Sequence, residues 1–324
     1  MIAKRYLKWF SVLFVVVSLF IVIVLEIFTR TVLSSKNSVE IQYEMLLSKK
    51  NIKLLGIGDS HMARALNLDK DTFFNFSLPG ENSVIMYMKL KKVLESGLRP
   101  DMVLLSADYH QFTDYRIDNI KYNAYEKYID ENLSSMATLQ QINIKDDKKS
   151  FLYKMGLQQF KSDIAPGIFR ALYQYISNPI QNNSEKSFTE HGAILSYGSD
   201  NISDSIILQR MAEQKLNQKS KILNRKLQYF YEESINLCQQ YGIRPLLIRF
   251  PVTKRYLYFI DIDIRKQIDA YYKYLTDRYS VEEMDYSEFI RENKYFEDQD
   301  HLNADGARIF SEALVNHLGN LYGF

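Results

Sequence analysis

The stretch Asn51–Arg64, NIKLLGIGDSHMAR, decides the fold class expected of this chain. A short apolar run leads through Gly56 and Gly58 to the tripeptide DSH, after which helix-forming residues resume. Apolar residues that end at glycines predict a buried strand, a tight turn and the start of a helix. Ser60 would then stand where backbone N–H groups point outward and the helix dipole favours an anion. Such a serine either caps the helix or serves as a nucleophile whose reaction builds an oxyanion.

A second polar cluster lies near the other end of the chain. The segment Tyr295–Gly306, YFEDQDHLNADG, places Asp298 three residues before His301 and leads into an amphipathic run. A hydroxyl, an imidazole and a carboxylate are the groups of a Ser–His–Asp triad. If the two ends of the domain meet, Ser60 has a base in His301 and an orienting acid in Asp298.

The two motifs together resemble those of the SGNH/GDSL hydrolase superfamily. The segment GDSH at 58–61 is similar to the first block of that family, and DQDHLN at 298–303 is similar to its last, D-x-x-H block. The resemblance implies a flavodoxin-like α/β/α sandwich, with Ser60 as the nucleophile, His301 as the base and Asp298 as the orienting acid. We expect no cofactor and no metal. A calcium loop beginning at Asp298 is rejected, because an EF-hand register puts Asn303 at the sixth position, where glycine is needed.

Candidates for the oxyanion hole and substrate contacts come from two intervening segments. Gly80 resembles the family's second-block glycine, whose backbone N–H joins that of Ser60. The third block departs from the usual G-x-N-D, because the corresponding strand end reads SADYH. Its Asp108 cannot donate a hydrogen bond when ionised, so His110 or Asn82 would have to donate, or the hole has two donors. Loss of one donor typically costs about 10²–10³ in rate, so the departure allows a slow, specialised or inactive enzyme.

Other polar residues near the motifs are expected to be structural. His61 adjoins Ser60, and adjacent positions on a strand–helix turn rarely face each other, so a packing role is predicted. Asp300 is expected to serve as a local loop or cap residue. Cys238, the only cysteine, falls within a helical pattern and is predicted to pack.

Strand and helix patterns alternate along the chain. Alternation of this kind predicts a parallel five-stranded sheet between helix layers, as in a three-layer α/β/α fold. The predicted strands lie at 52–57, 72–76, 101–107, 244–250 and 280–286. Because functional groups gather beyond the carboxyl ends of parallel strands, the candidate residues should meet at one edge of the sheet.

The tyrosine-rich stretch at about 111–204 interrupts this alternation. It is predicted to be a helical and loop insertion that builds a substrate cleft or partner surface, or else a surface elaboration without a role in chemistry. Helical pieces are expected at 151–160 and 168–176. Its aromatic residues could stack on sugar rings or simply pack; they are Tyr122, Tyr125, Tyr128, Phe151 and Tyr153.

The N-terminal segment is predicted to be a membrane anchor. Trp9–Leu25 is 17 residues without a charge, near the lower end of what spans a bilayer. Basic residues at positions 4, 5 and 8 outnumber those that follow closely, which favours a cytoplasmic N-terminus. A cleaved signal peptide is the alternative, although its apolar region is usually shorter and no A-x-A-like site follows. The expected organisation is an anchor at 1–30, a linker at 31–50 and the SGNH-like domain at 51–324.

The resemblance and the anchor together imply a function at the cell envelope. The net charge of +2 and the lack of a long basic stripe argue against a nucleic-acid role. The expected activity is that of an extracytoplasmic serine esterase or O-acyltransferase acting on acyl, above all acetyl, esters of an envelope polysaccharide. By resemblance, a membrane-bound O-acyltransferase is an expected partner. The alternatives are a non-catalytic protein that binds a glycan or that acyltransferase, and a lipid esterase held near its substrate.

Overall fold

The computed structural model describes residues 2–28, 38–118, 125, 188–198, 202–217 and 223–322. The chain divides into two compact units, one of residues 1–38 with 143–185 and the other of residues 39–142 with 186–324. Most of the predicted insertion, including its two helical pieces, lies outside the described residues.

Helix α1 (Ile2–Phe28) is the described part of the first unit. Its segment Trp9–Phe28 has a mean hydropathy of 3.0 and is long and apolar enough to cross a membrane. Twenty residues at about 1.5 Å each span about 30 Å, which is the thickness of a bilayer's hydrocarbon core. The helix could therefore be a membrane anchor, and a signal sequence near the N-terminus would have the same character.

The second unit is built on a parallel sheet of five strands. Its strands pair in the order β2-β1-β3-β4-β5, and every pair is parallel. This confirms the predicted sheet, and the order is that of flavodoxin-like folds. The strands are β1 (Leu54–Ile57), β2 (Phe73–Asn75), β3 (Met102–Ser106), β4 (Arg244–Arg249) and β5 (Glu282–Asp285).

Helices cover both faces of the sheet, which confirms the predicted three-layer arrangement. On one face, helices α4 and α7 pack against each other; on the other, α3 packs against α10. Among the described residues, the α-helices after α1 are, in chain order, α2 (Ser38–Ser48), α3 (Ser60–Ala65), α4 (Ser83–Glu95), α5 (Tyr115–Asp118), α6 (Asp204–Glu213), α7 (Arg225–Gln240), α8 (Lys254–Phe259), α9 (Ile262–Tyr279) and α10 (Ala304–Tyr322).

Strand alternation divides the core between the two faces. Met102 and Leu104 of β3 belong to the cluster beneath α10, since successive side chains of a strand point to opposite sides. Helix α10 contributes Phe310, Leu314 and Leu318, whose spacing of four places them on one stripe. The layer that carries α10 thereby brings the C-terminal part of the chain onto the same sheet as β1.

Helix α2 joins the α/β unit through one buried glutamine. Gln42 Nε2 lies within hydrogen-bond distance of the carbonyl oxygens of Asn75, Ser77 and Gly192, at 2.9, 3.1 and 2.8 Å. Buried carbonyl groups need such donors because water cannot reach them. Residues 39–48 of the stretch predicted to be a linker are therefore part of this unit.

Close approach of neighbouring side chains explains Gly58, in the turn after β1, and Gly56, within β1. A Cβ added at Gly58 would lie 1.9 Å from Ser106 Oγ, and one added at Gly56 would lie 2.9 Å from Met62 Sδ. Only glycine leaves room for the turn to pass against the end of β3. This close passage sets where Ser60 emerges from the sheet.

Candidate active site

Three segments meet beyond the carboxyl ends of the strands. Ser60 begins α3 after β1, Asp108 follows β3, and the loop that carries Asp298 and His301 lies between β5 and α10. The carboxylate of Asp59 accepts a hydrogen bond from the backbone N–H of His61 at 3.0 Å and so caps α3. The first turn of α3 thus presents Ser60 to the loop from the far end of the chain.

Ser60, His301 and Asp298 form a continuous chain of hydrogen-bonding groups. His301 Nε2 lies 2.9 Å from Ser60 Oγ, and His301 Nδ1 lies 2.8 Å from Asp298 Oδ2. Because an ionised carboxylate only accepts, Nδ1 carries the proton of the neutral ring and Nε2 presents its lone pair to the hydroxyl. Both Ser60 and His301 are buried, with 8% and 6% of their surface exposed. The arrangement can withdraw the hydroxyl proton.

The loop that carries His301 is held by its own backbone and caps. Asp298 Oδ1 accepts from the backbone N–H groups of Asp300 and His301 at 3.0 and 2.9 Å. Asn303 Oδ1 accepts from the N–H of Gly306 at 3.0 Å and so caps α10. A Cβ at Gly306 would lie 2.2 Å from the carbonyl oxygen of Tyr295. The glycine therefore lets α10 begin directly after the loop.

Gly80 and Asn82 lie in the turn that leads from β2 to α4. Gly80 is exposed, with a φ of 88° that glycine adopts without strain. Asn82 is buried and caps α4, its Oδ1 accepting from the N–H groups of Val84 and Ile85 at 3.1 and 3.2 Å. Its Nδ2 donates to the carbonyl oxygen of Arg116 at 3.0 Å. These bonds tie the Asn82 amide to the local structure, and an oxyanion role for either residue stays a prediction.

His110 is committed to the carboxylate of Asp59 rather than to Ser60. Its Nε2 lies 2.8 Å from Asp59 Oδ2, and Arg116 Nη2 lies 2.8 Å from the same oxygen. Burial lowers the pKa of His110 to about 4, against the opposing charge of Asp59, so the ring is neutral at pH 7. Its proton is then on Nε2, and buried Nδ1, which has no hydrogen-bond partner among the described residues, can only accept.

Asp108 lies beneath the site at the end of β3. Its Oδ1 accepts from the backbone N–H of Phe250 at 3.2 Å, and its carbonyl oxygen accepts from the Tyr272 hydroxyl at 3.2 Å. Oδ1 also lies 3.2 Å from His61 Nδ1. Asp108 thus contacts the residue after the nucleophile, and its predicted role as a substrate contact stays untested.

His61 and Asp300 differ from their predicted roles. Both are buried, but neither packs in apolar surroundings or merely caps a loop. His61 Nε2 lies 3.4 Å from Asp300 Oδ2, which also accepts from Arg210 Nε and Gln214 Nε2 at 3.0 Å each. Burial alone would raise the pKa of Asp300, but the neighbouring His301 ring and the Arg210 guanidinium hold it well below its usual range. The two residues belong to a buried charge network beneath the triad.

The network includes partners that no sequence motif indicates. Arg116 lies near the start of the stretch predicted as an insertion, and Arg210 and Gln214 lie after its predicted end, on and beside α6. Arg116 also donates to the carbonyl oxygen of Glu81. Burial alone would raise the pKa of Asp59, yet Arg116 and His110 lower it far below the usual range. Isolated arginines in a polar stretch carry no spacing signal that would have revealed these contacts.

Tyr125 is the described member of the aromatic residues considered for sugar stacking. Its side chain is buried and its hydroxyl donates to Glu81 Oε1 at 2.8 Å. Tyr125 therefore packs inside the protein. The other four aromatic residues of that set lie outside the described residues.

One group of side chains has the composition of a metal site. Ligand-type atoms of His61, Asp300 and His301 lie within 4.8 Å of one another. The Asp300 oxygen accepts from cationic Arg210, whose charge opposes that of a metal ion, and His301 Nε2 faces Ser60. We therefore assign these residues to proton handling and charge balance rather than to metal ligation.

Known proteins show little similarity to this chain. No family model matches this chain, and no curated protein matches it. Among solved structures, the chain is similar to a protein from Bacteroides fragilis described as a "putative acylhydrolase", with 9% sequence identity and a TM-score of 0.41. That likeness covers 89% of this chain and 99% of the other. Similarity this weak does not support a function for this chain. The function proposed below rests on the side chains of the site.

Proposed function

We propose that this protein is a serine esterase or O-acyltransferase of the SGNH type, acting on acyl esters of a cell-envelope polysaccharide. The observation that carries the proposal is the hydrogen-bonded series from Ser60 through His301 to Asp298, with separations of 2.9 and 2.8 Å. A nucleophile, a base and an orienting acid in that order are the machinery of acyl transfer. The GDSH and D-x-x-H motifs that carry these residues support the family.

The proposed reaction proceeds through an acyl-enzyme. Ser60 Oγ attacks the ester carbonyl carbon while its proton passes to His301 Nε2, and Asp298 stabilises the imidazolium that forms. The tetrahedral intermediate collapses, the C–O bond to the alcohol breaks, and His301 returns the proton to the leaving oxygen. Water or a sugar hydroxyl then gives a proton to His301, attacks the acyl carbon and releases Ser60.

Substrate and place in the cell follow from the N-terminal helix and the family resemblance. With α1 as a single-pass anchor and the N-terminus in the cytoplasm, the α/β unit would face the envelope. Acetyl esters of a polysaccharide are the proposed substrates, and a membrane-bound O-acyltransferase is the proposed acyl-donating partner. Two engineered cysteines test this orientation, one near residue 5 and one at Ser205. Their reactivity toward an impermeant maleimide is measured in whole cells.

Fluorophosphonate labelling tests the chemistry directly. The full chain in detergent micelles should form a covalent adduct, because the reagent captures an activated serine. Ser60→Ala should abolish the adduct, whereas Ser205→Ala, at an exposed serine of α6, should leave it unchanged. Acetyl release from a simple acetyl ester, with and without oligosaccharide acceptors, then separates hydrolysis from transfer. Absence of a Ser60-dependent adduct would reject the enzymatic proposal.

A non-catalytic binding protein is the second candidate. The observation that favours it is that the Asn82 amide and the His110 ring are hydrogen-bonded to other partners. The third oxyanion donor is therefore unassigned. This candidate predicts no adduct in the labelling experiment but retained binding of acetylated oligosaccharide. A lipid esterase would instead turn over long-chain esters in preference to acetyl esters.

A further inference from the structure

His61 occupies the centre of the charge network, directly after the nucleophile. Its side chain is about 1% exposed, and its Nδ1 lies 3.2 Å from Asp108 Oδ1. Its Nε2 lies 3.4 Å from Asp300 Oδ2. Asp108 belongs to the end of β3, and Asp300 belongs to the loop that carries His301. One imidazole therefore joins the three segments that make up the site.

The geometry favours one protonation state of this ring. Each of its nitrogens lies within 3.4 Å of a carboxylate oxygen, although only Nε2 has hydrogen-bond geometry toward its carboxylate, and an ionised carboxylate can only accept. A neutral imidazole has one N–H, so its other nitrogen would direct a lone pair at a carboxylate inside the protein. The unfavourable contact disappears when both nitrogens of His61 carry protons.

The surrounding charges agree with that conclusion. Burial disfavours the charged ring, but the carboxylates of Asp108, Asp300 and Asp59 outweigh burial and raise the pKa of His61 well above its usual range. Two other imidazoles face His61 edge to face, those of His110 and His301, with ring centroids 4.7 and 5.1 Å away. Two arginines complete the set, Arg116 against Asp59 and Arg210 against Asp300.

We propose that His61 is a positioning residue that is an imidazolium at neutral pH, drawing the Asp108 and Asp300 carboxylates to the turn that carries Ser60. The inference rests on the proposed function, because the distance it maintains is that between Ser60 and His301. When the His61 charge is lost, Asp108 and Asp300 become buried anions without the cation between them. The loop that carries His301 then withdraws from the nucleophile.

The pH profile of labelling separates this role from simple packing. Labelling of the wild type should fall in alkali, as His61 loses its proton. His61→Gln should lower the rate at pH 7.5 about 10²-fold, the usual cost of misplacing a reacting group by about 1 Å, and should lose the alkaline decline. His317→Gln, at an exposed histidine of α10, should reproduce the wild-type profile.

A second variant keeps the test valid if His61→Gln folds poorly. Asp108→Asn removes one of the two carboxylates that favour the imidazolium, so the alkaline decline should move to lower pH. An alkaline decline that stays in place in both variants, or an unchanged rate in His61→Gln, would overturn the proposal.

Nitrogen NMR of the full chain in micelles tests the same inference without catalysis. In Ser60→Ala protein labelled with [15N]histidine, the His61 ring should show two protonated nitrogens at pH 8, identified by their loss in His61→Gln. The same substitution should shift the His301 ring signals, and His317→Gln should not. A neutral His61, or His301 signals that do not move, would overturn the inference. The two proposals can fail separately. If NMR shows the His61 imidazolium and the expected His301 shifts, but labelling gives no Ser60-dependent adduct, only the esterase proposal is rejected.

Discussion

Ser60 Oγ lies 2.9 Å from His301 Nε2, although 241 positions separate the two residues in the chain. The contact exists because β1 and the loop before α10 deliver their residues to the same edge of one parallel sheet. His301 in turn lies 2.8 Å from Asp298, three residues earlier in that loop. A hydroxyl, a base and an acid aligned in this way are poised for proton transfer, and this alignment gives the following expectations.

Removal of the charge at Asp298 should disable the base while leaving the fold intact. In Asp298→Asn, the amide can donate to His301 Nδ1 and leave the proton on Nε2, so Ser60 loses its acceptor. The rate of fluorophosphonate labelling should fall about 10⁴-fold. Asp305→Asn, an exposed substitution at the start of α10, should label at the wild-type rate. Equal rates for the two variants would exclude Asp298 from the machinery.

The His61 network should make the folded protein less stable as the pH rises. Because the folded-state pKa of His61 is raised above its ordinary value of 6.5, its contribution is complete below pH 6.5 and is lost as pH rises through the folded-state pKa. Between these limits the unfolding free energy should fall by about 1.4 kcal/mol for each pH unit. Urea unfolding at several pH values should show a flatter dependence for His61→Gln, and His317→Gln should retain the wild-type slope.

The turn that carries Gly80 rests on a fully buried ion pair. Lys89 Nζ lies 2.7 and 3.0 Å from the two carboxylate oxygens of Glu81, and both side chains are 0% exposed. Lys89→Met leaves the carboxylate without its cation and should lower the unfolding free energy by about 3–5 kcal/mol. Denaturant titration of the full chain measures the loss.

The matched variants for this pair are Lys91→Met and the double substitution. Lys91 is on the same helix, and its ammonium lies 3.8 Å from Glu95 at a partly exposed site, so its replacement should cost at most about 1 kcal/mol. Replacing Glu81 by Gln together with Lys89→Met should recover part of the loss, because no uncompensated charge stays buried. A double variant as unstable as Lys89→Met alone would argue against the charge explanation.

Helix α2 should depend on the amide of Gln42. Gln42→Met keeps the length of the side chain but leaves the three buried carbonyl oxygens without that donor. We expect a loss of about 1–3 kcal/mol in unfolding free energy, the usual cost of a buried polar group left unpaired. Glu44→Gln, at an exposed position of the same helix, should change the denaturation midpoint little. An unchanged unfolding free energy in Gln42→Met would mean that the Gln42 hydrogen bonds do not stabilise the attachment of α2.

Cys238 should be inert in the native protein and reactive after unfolding. The thiol is 0% exposed, and burial raises its pKa to about 12, so the reactive thiolate is scarce. Iodoacetamide at pH 7.5 should leave the folded chain unmodified and alkylate one site in guanidinium. Ser205→Cys should react without denaturant and confirm that the reagent is effective.

Much of the fold could be predicted from local pattern. Apolar runs such as the one at 52–57 predict strands that are covered on both faces. Their alternation with helical segments implies a parallel sheet. The spacing of Asp298 and His301 likewise reflects one short loop, in which Asp298 accepts the backbone N–H of His301 as well as its ring N–H. These features depend on neighbours in the chain, and a sequence records such neighbours directly.

The charge network could not be predicted in the same way. His61 was expected to pack and Asp300 to serve a loop, since their partners come from other elements, Asp108 after β3 and Arg210 on α6. Their protonation depends on which charges burial brings within a few ångströms, and the energy of such charges changes steeply with distance and dielectric. No local spacing encodes those distances.

The sequence by itself determined the parallel α/β sheet, the apolar N-terminal helix and the residue types from which a nucleophile, a base and an acid could be drawn. Only the tertiary structure decided that Ser60 meets His301, that Asn82 and His110 serve other partners, and that His61 lies between two carboxylates. The physical reason is that periodicity and turn chemistry act between near neighbours, whereas hydrogen bonds and buried charges depend on distances that exist only once the chain has packed.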